Sequence, residues 1–316
     1  MKRLILLTFT LLVSTLHATT LTPITVALDW YINPDQAPLL IAQTQGYFAQ
    51  HDLKVTLLTP TEETEPMKLV EVNQATFGIT NQLSLLQALS AGAPLIRIAG
   101  LAVKPMSCVA TLNSNIHTIK DLTGKTIGYS AGGSLSPEIL RQWLKNNGVD
   151  PTTVKLINVK MDLVQALLTH RIDAAADVVR SVEVVELEQM GYHPTVFLPE
   201  QSGVPTYEEM LLIDNTRHLN PKTIKAFIAA LTEAEHYLAA NPEQSWKIAS
   251  QYYKSALAAT PEMTKTNHAI WLATVPYFGT DPTAFNAKQY QAFNAFLVQI
   301  STLQQSIPLS RYTIGS

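Results

Sequence analysis

Between residues 22 and 200 the chain alternates short β-rich runs with segments of helical spacing, and no arrangement except layered α/β satisfies that alternation along its whole length. "ITVALDW", "LKVTLLT", "ATFGI", "LIRIAGLAV", "SCVATLN", "KTIGYS", "VKLINV", "AAADVV" and "PTVFLP" read as strands. "APLLIAQTQGYFAQHD", "QLSLLQALSAG", "PEILRQWLKNNG", "MDLVQALLTHRI" and "EVVELEQMG" read as helices between them. The pattern predicts parallel sheets. From Asn220 onward it becomes all-helical, and three of those segments open with proline, whose missing N–H costs nothing in a first turn. A chain of 316 residues has room for two cores. No repeat, charge run or low-complexity linker separates them, so the two lobes must share crossings.

At the N-terminus Lys2 and Arg3 precede the uncharged stretch "LILLTFTLLV" and then "STLHATT". That order predicts a secretory signal peptide over residues 1–18, with cleavage after Ala18 and a periplasmic mature protein. The apolar run is about half of the roughly 20 residues a spanning helix needs. The formal charge of −3 becomes −5 once Lys2 and Arg3 leave. This balance disfavours nucleic acid as a partner. Cys108 is the single cysteine, so no internal disulfide or multi-cysteine metal site can form, and it reads as a small buried apolar residue. The eight histidines show no metal-ligand spacing. No metal or other cofactor is expected.

Open parallel sheets bind ligands beyond the carboxyl ends of their strands. Three stretches fall there: "WYINPDQ" after the first strand, with Trp30, Asn33, Asp35 and Gln36; "ITNQ", with Asn81; and "YSAGGSLSPE", with Ser130 and Gly132. The first offers aromatic faces, amides and a carboxylate. The last offers backbone N–H groups at a helix start, with Ser134 or Ser136 able to cap it. "SAGGS" lacks the P-loop lysine and the full dinucleotide fingerprint, so together these stretches describe a binding cleft.

"LDWYINPDQAPLLIAQTQGYF", "DLTGKTIGYSAGGS" and "GVPTYEEMLLIDNT" resemble the substrate-binding proteins of bacterial ABC importers, in the branch that binds thiamine-pyrimidine precursors such as formylaminopyrimidine. The middle motif is shared with sulfonate- and nitrate-binding proteins, whereas Trp30 followed by "NPD" and the "VPTY" turn are typical of the pyrimidine branch. The resemblance implies a two-lobed periplasmic-binding-protein fold closing like a flytrap. Lobe one would hold residues 22–103 and 201–316, with the C-terminal helices packed on it, and lobe two residues 104–200. It also implies an ABC permease and its ATPase as partners. It places Trp30, Asn33 and Asp35 at the cleft, faces them with Ser130 and Gly132, and puts a carboxylate for the aminopyrimidine on Glu183 in "VVRSVE". Gln36 departs from the histidine common at its position.

Physically, an aromatic wall with a carboxylate suits a flat, aminated heterocycle. Tyr207 of the "VPTY" turn is a further candidate for ligand contact. Blander roles stand beside these: Trp30 as core between the lobes, Glu183 on a solvated helix face near Glu186 and Glu188, and Tyr207 merely packing the turn after Pro205. Two rival functions follow from the same resemblance. The eukaryotic pyrimidine synthases hold pyridoxal phosphate on a lysine and consume a histidine four residues later. Thr80 and Ser84 stand at those positions here, and neither supplies that chemistry. A binder of sulfonate or nitrate would want an arginine at the cleft, and Arg180 is the candidate.

Overall fold

Strand runs mostly buried on both faces and glycine- or asparagine-terminated helices generate two mixed five-stranded sheets in the computed structural model, which describes residues 20–61 and 65–314. The expected leader, residues 1–18, lies outside the described residues. In the first sheet the order is β2 (Leu53–Leu58), β1 (Thr22–Ala27), β3 (Phe77–Thr80), β10 (Met210–Asn215) and β4 (Leu95–Ala102). The second runs β7 (Lys155–Asn158), β6 (Thr126–Tyr129), β8 (Ala174–Val179), β5 (Ser107–Thr111) and β9 (Thr195–Phe197).

The expectation of purely parallel sheets needs correction. β1 pairs parallel with β2 and β3, and β6 with β7 and β8, but β10 runs antiparallel between β3 and β4, and β5 antiparallel between β8 and β9. The cause is connectivity. β5 and β10 are the strands entered directly from the other sheet, through residues 103–106 and 198–209. A short crossing delivers the chain at the edge it has just left, so the next strand must run the opposite way.

Local rules account for most helix limits. The single helix expected over residues 37–52 is two, Ala37–Thr44 and Tyr47–Gln50, because Gly46 adopts a left-handed φ of +75° between them. Asn220, Thr260 and Asn286 cap the long C-terminal helices Pro221–Ala240, Pro261–Thr274 and Ala287–Gln299 by accepting from backbone N–H groups of the first turn. The helix Pro221–Ala240 packs on Ala37–Thr44 beside the first sheet, burying Phe227, Leu231 and Leu238 with Leu39, Leu40 and Ile41. The helix Pro261–Thr274 also reaches across to Glu183–Gln189 beside the second sheet. Among the described residues no helix is long and apolar enough to cross a membrane.

Candidate functional site

The carboxyl ends of β1, β3, β6 and β8 and the amino ends of β5 and β10 converge on one cavity. Its lining includes Asp29, Trp30, Asp35, Thr80, Asn81, Ser107, Ser130, Gly132, Ser134, Val179 and Glu209. Its volume of about 110 Å³ is several times the ~10–15 Å³ that one water requires. Both sheets and both crossings contribute walls.

Of the residues expected at the cleft, Trp30, Asp35, Asn81, Ser130 and Gly132 line this cavity. Asn33 and Gln36 do not. They form a capping box around the short turn Pro34–Gln36: Asn33 Oδ1 accepts from Asp35 N at 2.7 Å, and Gln36 Oε1 accepts from Asn33 N at 3.0 Å. Their work is to aim Trp30 and Asp35. Gln36 adds one more contact, since its amide donates to Asp29 Oδ1 at 3.3 Å. Tyr207 also lies off the cavity, buried at 1% exposure with its ring 5.2 Å from Phe293, which corresponds to the packing role. Glu183 opens its helix beside the cavity, and its Oε2 accepts from Val179 N at 2.8 Å.

Two carboxylates absent from the sequence-based candidates complete the lining: Asp29 and Glu209. Glu209 is 8% exposed and takes four donors. Oε2 accepts from Met106 N (2.6 Å) and Ser107 N (2.7 Å), and Oε1 from the hydroxyls of Ser107 (2.8 Å) and Ser134 (2.6 Å). It thus ties one crossing to the other and to the glycine-rich turn of the second sheet. Asn81 makes a second tie across the cleft. Its Nδ2 donates to Gly132 O at 2.8 Å, while its Oδ1 caps the helix Gln82–Ser90 through Ser84 N.

Enclosure governs the electrostatics. Burial pushes the Asp29 carboxyl up to about 6 and Glu183 up to about 7. Burial also raises Asp35 well above the usual carboxylate range, with Glu183, Asp29 and Glu209 adding like charge. One Asp35 oxygen, Oδ1, is buried with no hydrogen-bond partner. The lining contains no lysine, arginine or histidine. Arg180, the candidate for an anion binder, is spent elsewhere: it donates to Met106 O (3.0 Å), Ser107 O (2.9 Å) and Glu200 Oε1 (2.8 Å).

The glycine-rich turn is also occupied. Asp177, at a left-handed φ of +62° in β8, sends its carboxylate beneath the turn, accepting from Leu135 N at 2.6 Å and Ser130 N at 3.3 Å. A Cβ at Gly133 would lie 2.2 Å from that carboxyl carbon, which is why the turn needs glycine there. Thr80 and Ser84 sit at the end of β3 and in the first turn of the following helix, with Thr80 on the cavity wall. Among the described residues no group of three or more potential metal ligands gathers.

Comparison with known proteins gives a consistent kinship. A family model described as NMT1/THI5 like matches residues 33–245. A Haemophilus influenzae protein named for thiamine biosynthesis is 32% identical over 292 residues, covering 92% of this chain and 91% of that one. The formylaminopyrimidine-binding protein of Halalkalibacterium halodurans is 28% identical over 226 residues (71% and 68%). A 4-amino-5-hydroxymethyl-2-methylpyrimidine phosphate synthase of Legionella pneumophila is 26% identical over 262 residues (81% and 79%). Among solved structures, the alkanesulfonate-binding protein of Xanthomonas axonopodis superposes with a TM-score of 0.69 at 16% identity, covering 92% of this chain and 96% of that one. The architecture is therefore the periplasmic-binding-protein fold.

Proposed function

Because the chain belongs to the NMT1/THI5-like family, we propose that it is an exported binding protein that captures a thiamine pyrimidine precursor, of the formylaminopyrimidine or hydroxymethylpyrimidine type, and delivers it unchanged to an ABC permease. The observation that carries this reading is the cavity wall: an indole beside Asp29, Asp35 and Glu209 and no cationic side chain, with Glu183 outside the lining and bonded to the lining residue Val179. Trp30 supplies a flat apolar face, and the carboxylates accept from an exocyclic amine and a ring N–H. Asp35 Oδ1, buried and unpaired, would gain its partner from the ligand. Lobe one comprises residues 22–103 and 201–316 and lobe two 104–200, a division supported by the strand membership of the two sheets. Export and a periplasmic location rest on the charged, apolar N-terminal stretch.

Binding without chemistry is favoured over synthesis by Thr80. It lines the cavity where the synthase branch is expected to carry its lysine, and a hydroxyl cannot form a Schiff base. The test is mass spectrometry of ligand retained by natively purified protein, followed by calorimetry with that compound. The expected results are stoichiometric association, recovery of the ligand unaltered, and no borohydride-trapped pyridoxal phosphate adduct in the cavity. Pyridoxal-phosphate-dependent formation of hydroxymethylpyrimidine phosphate would overturn the proposal.

A further inference from the structure

We infer that the cavity sorts pyrimidines by charge, accepting the free aminated pyrimidine and rejecting its phosphate monoester. This deepens the function proposed above and rests on it. Two independent features lead there. First, every titratable side chain on the lining is acidic. Asp29 is met only by neutral donors, the Gln36 amide and backbone N–H groups including that of Trp30, Asp35 keeps one oxygen unpaired, and Glu209 is met by four neutral donors. Arg180, which bonds the carbonyls of the lining residues Met106 and Ser107, is committed to them and to Glu200.

Second, the place best suited to an anion is already filled. Glycine-rich turns at helix starts bind phosphate or sulfonate through free N–H groups. In this chain the N–H groups of Ser130 and Leu135 point to the Asp177 carboxylate, which packs against Gly133, whose own N–H donates to Ser130 O at 3.2 Å. The turn therefore carries an internal anion. A phosphate monoester bearing about −1.5 to −2 charges at neutral pH would meet like charge without a cradle. A protonated or hydrogen-bond-donating pyrimidine meets carboxyl oxygens at Asp29 and Asp35, one of them without a partner of its own. The relatives make the distinction relevant, since one is named for binding a formylaminopyrimidine and another for making a pyrimidine phosphate.

The experiment is calorimetric titration of the full mature protein with three compounds: 4-amino-5-hydroxymethyl-2-methylpyrimidine, its phosphate monoester and its neutral acetyl ester. The acetyl ester controls for bulk. The expected result is phosphate affinity at least about a hundredfold below that of the alcohol, the scale of one weakly screened like-charge contact. The acetyl ester should stay within about tenfold of the alcohol, and added salt should narrow only the phosphate gap. Asp29→Asn, which keeps shape and removes one charge, should narrow it as well. Phosphate binding within tenfold of the alcohol overturns the inference while leaving the proposed function standing, and so does equal exclusion of phosphate and acetyl esters. Failure of all three compounds to bind overturns the proposed function and the inference with it.

Discussion

Replacing Asp177 by alanine should unseat the glycine-rich turn, and the size of the effect can be worked from three local terms. Asp177 occupies a bulge: β5 advances two residues, from Cys108 to Ala110, while its partners on β8 step three, from Val178 to Ala175. The side chain loses its role first at Leu135 N, held at 2.6 Å, and at Ser130 N, held at 3.3 Å. A buried N–H left without an acceptor costs ~1–3 kcal/mol, with the long Ser130 contact at the lower end. The left-handed φ of +62°, tolerable for aspartate, adds ~1–2 kcal/mol once alanine stands there. The sum is ~3–6 kcal/mol, a large part of the ~5–15 kcal/mol that usually separates folded from unfolded. Asp177→Asn keeps one acceptor oxygen and the backbone preference, so it should lose ~1–2 kcal/mol. Urea unfolding followed by tryptophan emission reads this, since Trp143 is fully buried in the helix Pro137–Asn146 after the turn. An alanine variant within ~1 kcal/mol of the parent, or an asparagine variant less stable than the alanine one, would refute the reasoning.

Three further outcomes are expected. Glu183→Gln should weaken binding of the pyrimidine about ten- to a hundredfold by calorimetry, the value of ~1.5–3 kcal/mol for a charge-assisted hydrogen bond, while the empty protein keeps its turn through Val179 N. Trp30→Phe should abolish the ligand-induced change in tryptophan emission, because Trp143, Trp246 and Trp271 are buried away from the cavity. Stability of the empty protein should fall as pH rises from about 4.5 to about 7: Asp29 and Glu183 hold protons in the folded state up to about 6 and about 7 that the unfolded chain has already released. Their contribution is therefore fully present only below pH ~4. Asp29→Asn should flatten part of that slope in urea midpoints measured at acid and neutral pH, and a slope parallel to the parent's would count against Asp29.

How far the site was legible depended on strand direction. Trp30, Asn81 and Ser130 follow parallel strands, so the rule that ligands sit beyond carboxyl ends brought them together from sequence alone. Glu209 and Ser107 precede or begin antiparallel strands, whose amino ends lie at that same edge. Local periodicity carries no sign of direction, so these two were invisible. Asp29 was hidden differently, as the apparent last polar residue of a strand run. The capping roles of Asn33 and Gln36 had a signal, asparagine before proline with glutamine three residues on, which the ligand-directed reading passed over. Tyr207 had none, because its partner Phe293 is 86 positions away on a helix whose packing no local pattern fixes. The alternation itself, and the all-helical end, were plain because hydrophobic period changes wherever the chain changes element.

The ties from Asn81 to Gly132 and from Ser134 to Glu209 span the cleft without any cargo. A neutral hydrogen bond contributes ~0.5–1.5 kcal/mol and one to a carboxylate ~1.5–3, so separating both costs ~2–4.5 kcal/mol, a factor of roughly 30 to 2,000 in the opening equilibrium. If the pyrimidine of the proposed function exchanges only when this cleft parts, the two bonds act as a clock on exchange as well as a grip. Arrival slows by the fraction of time the cleft stands open, and residence lengthens by a similar factor. Asn81→Asp retains the helix cap and deletes the donor to Gly132, so stopped-flow exchange of one pyrimidine for another should quicken severalfold. Unchanged exchange would mean that the cleft opens by a motion that leaves this bond intact.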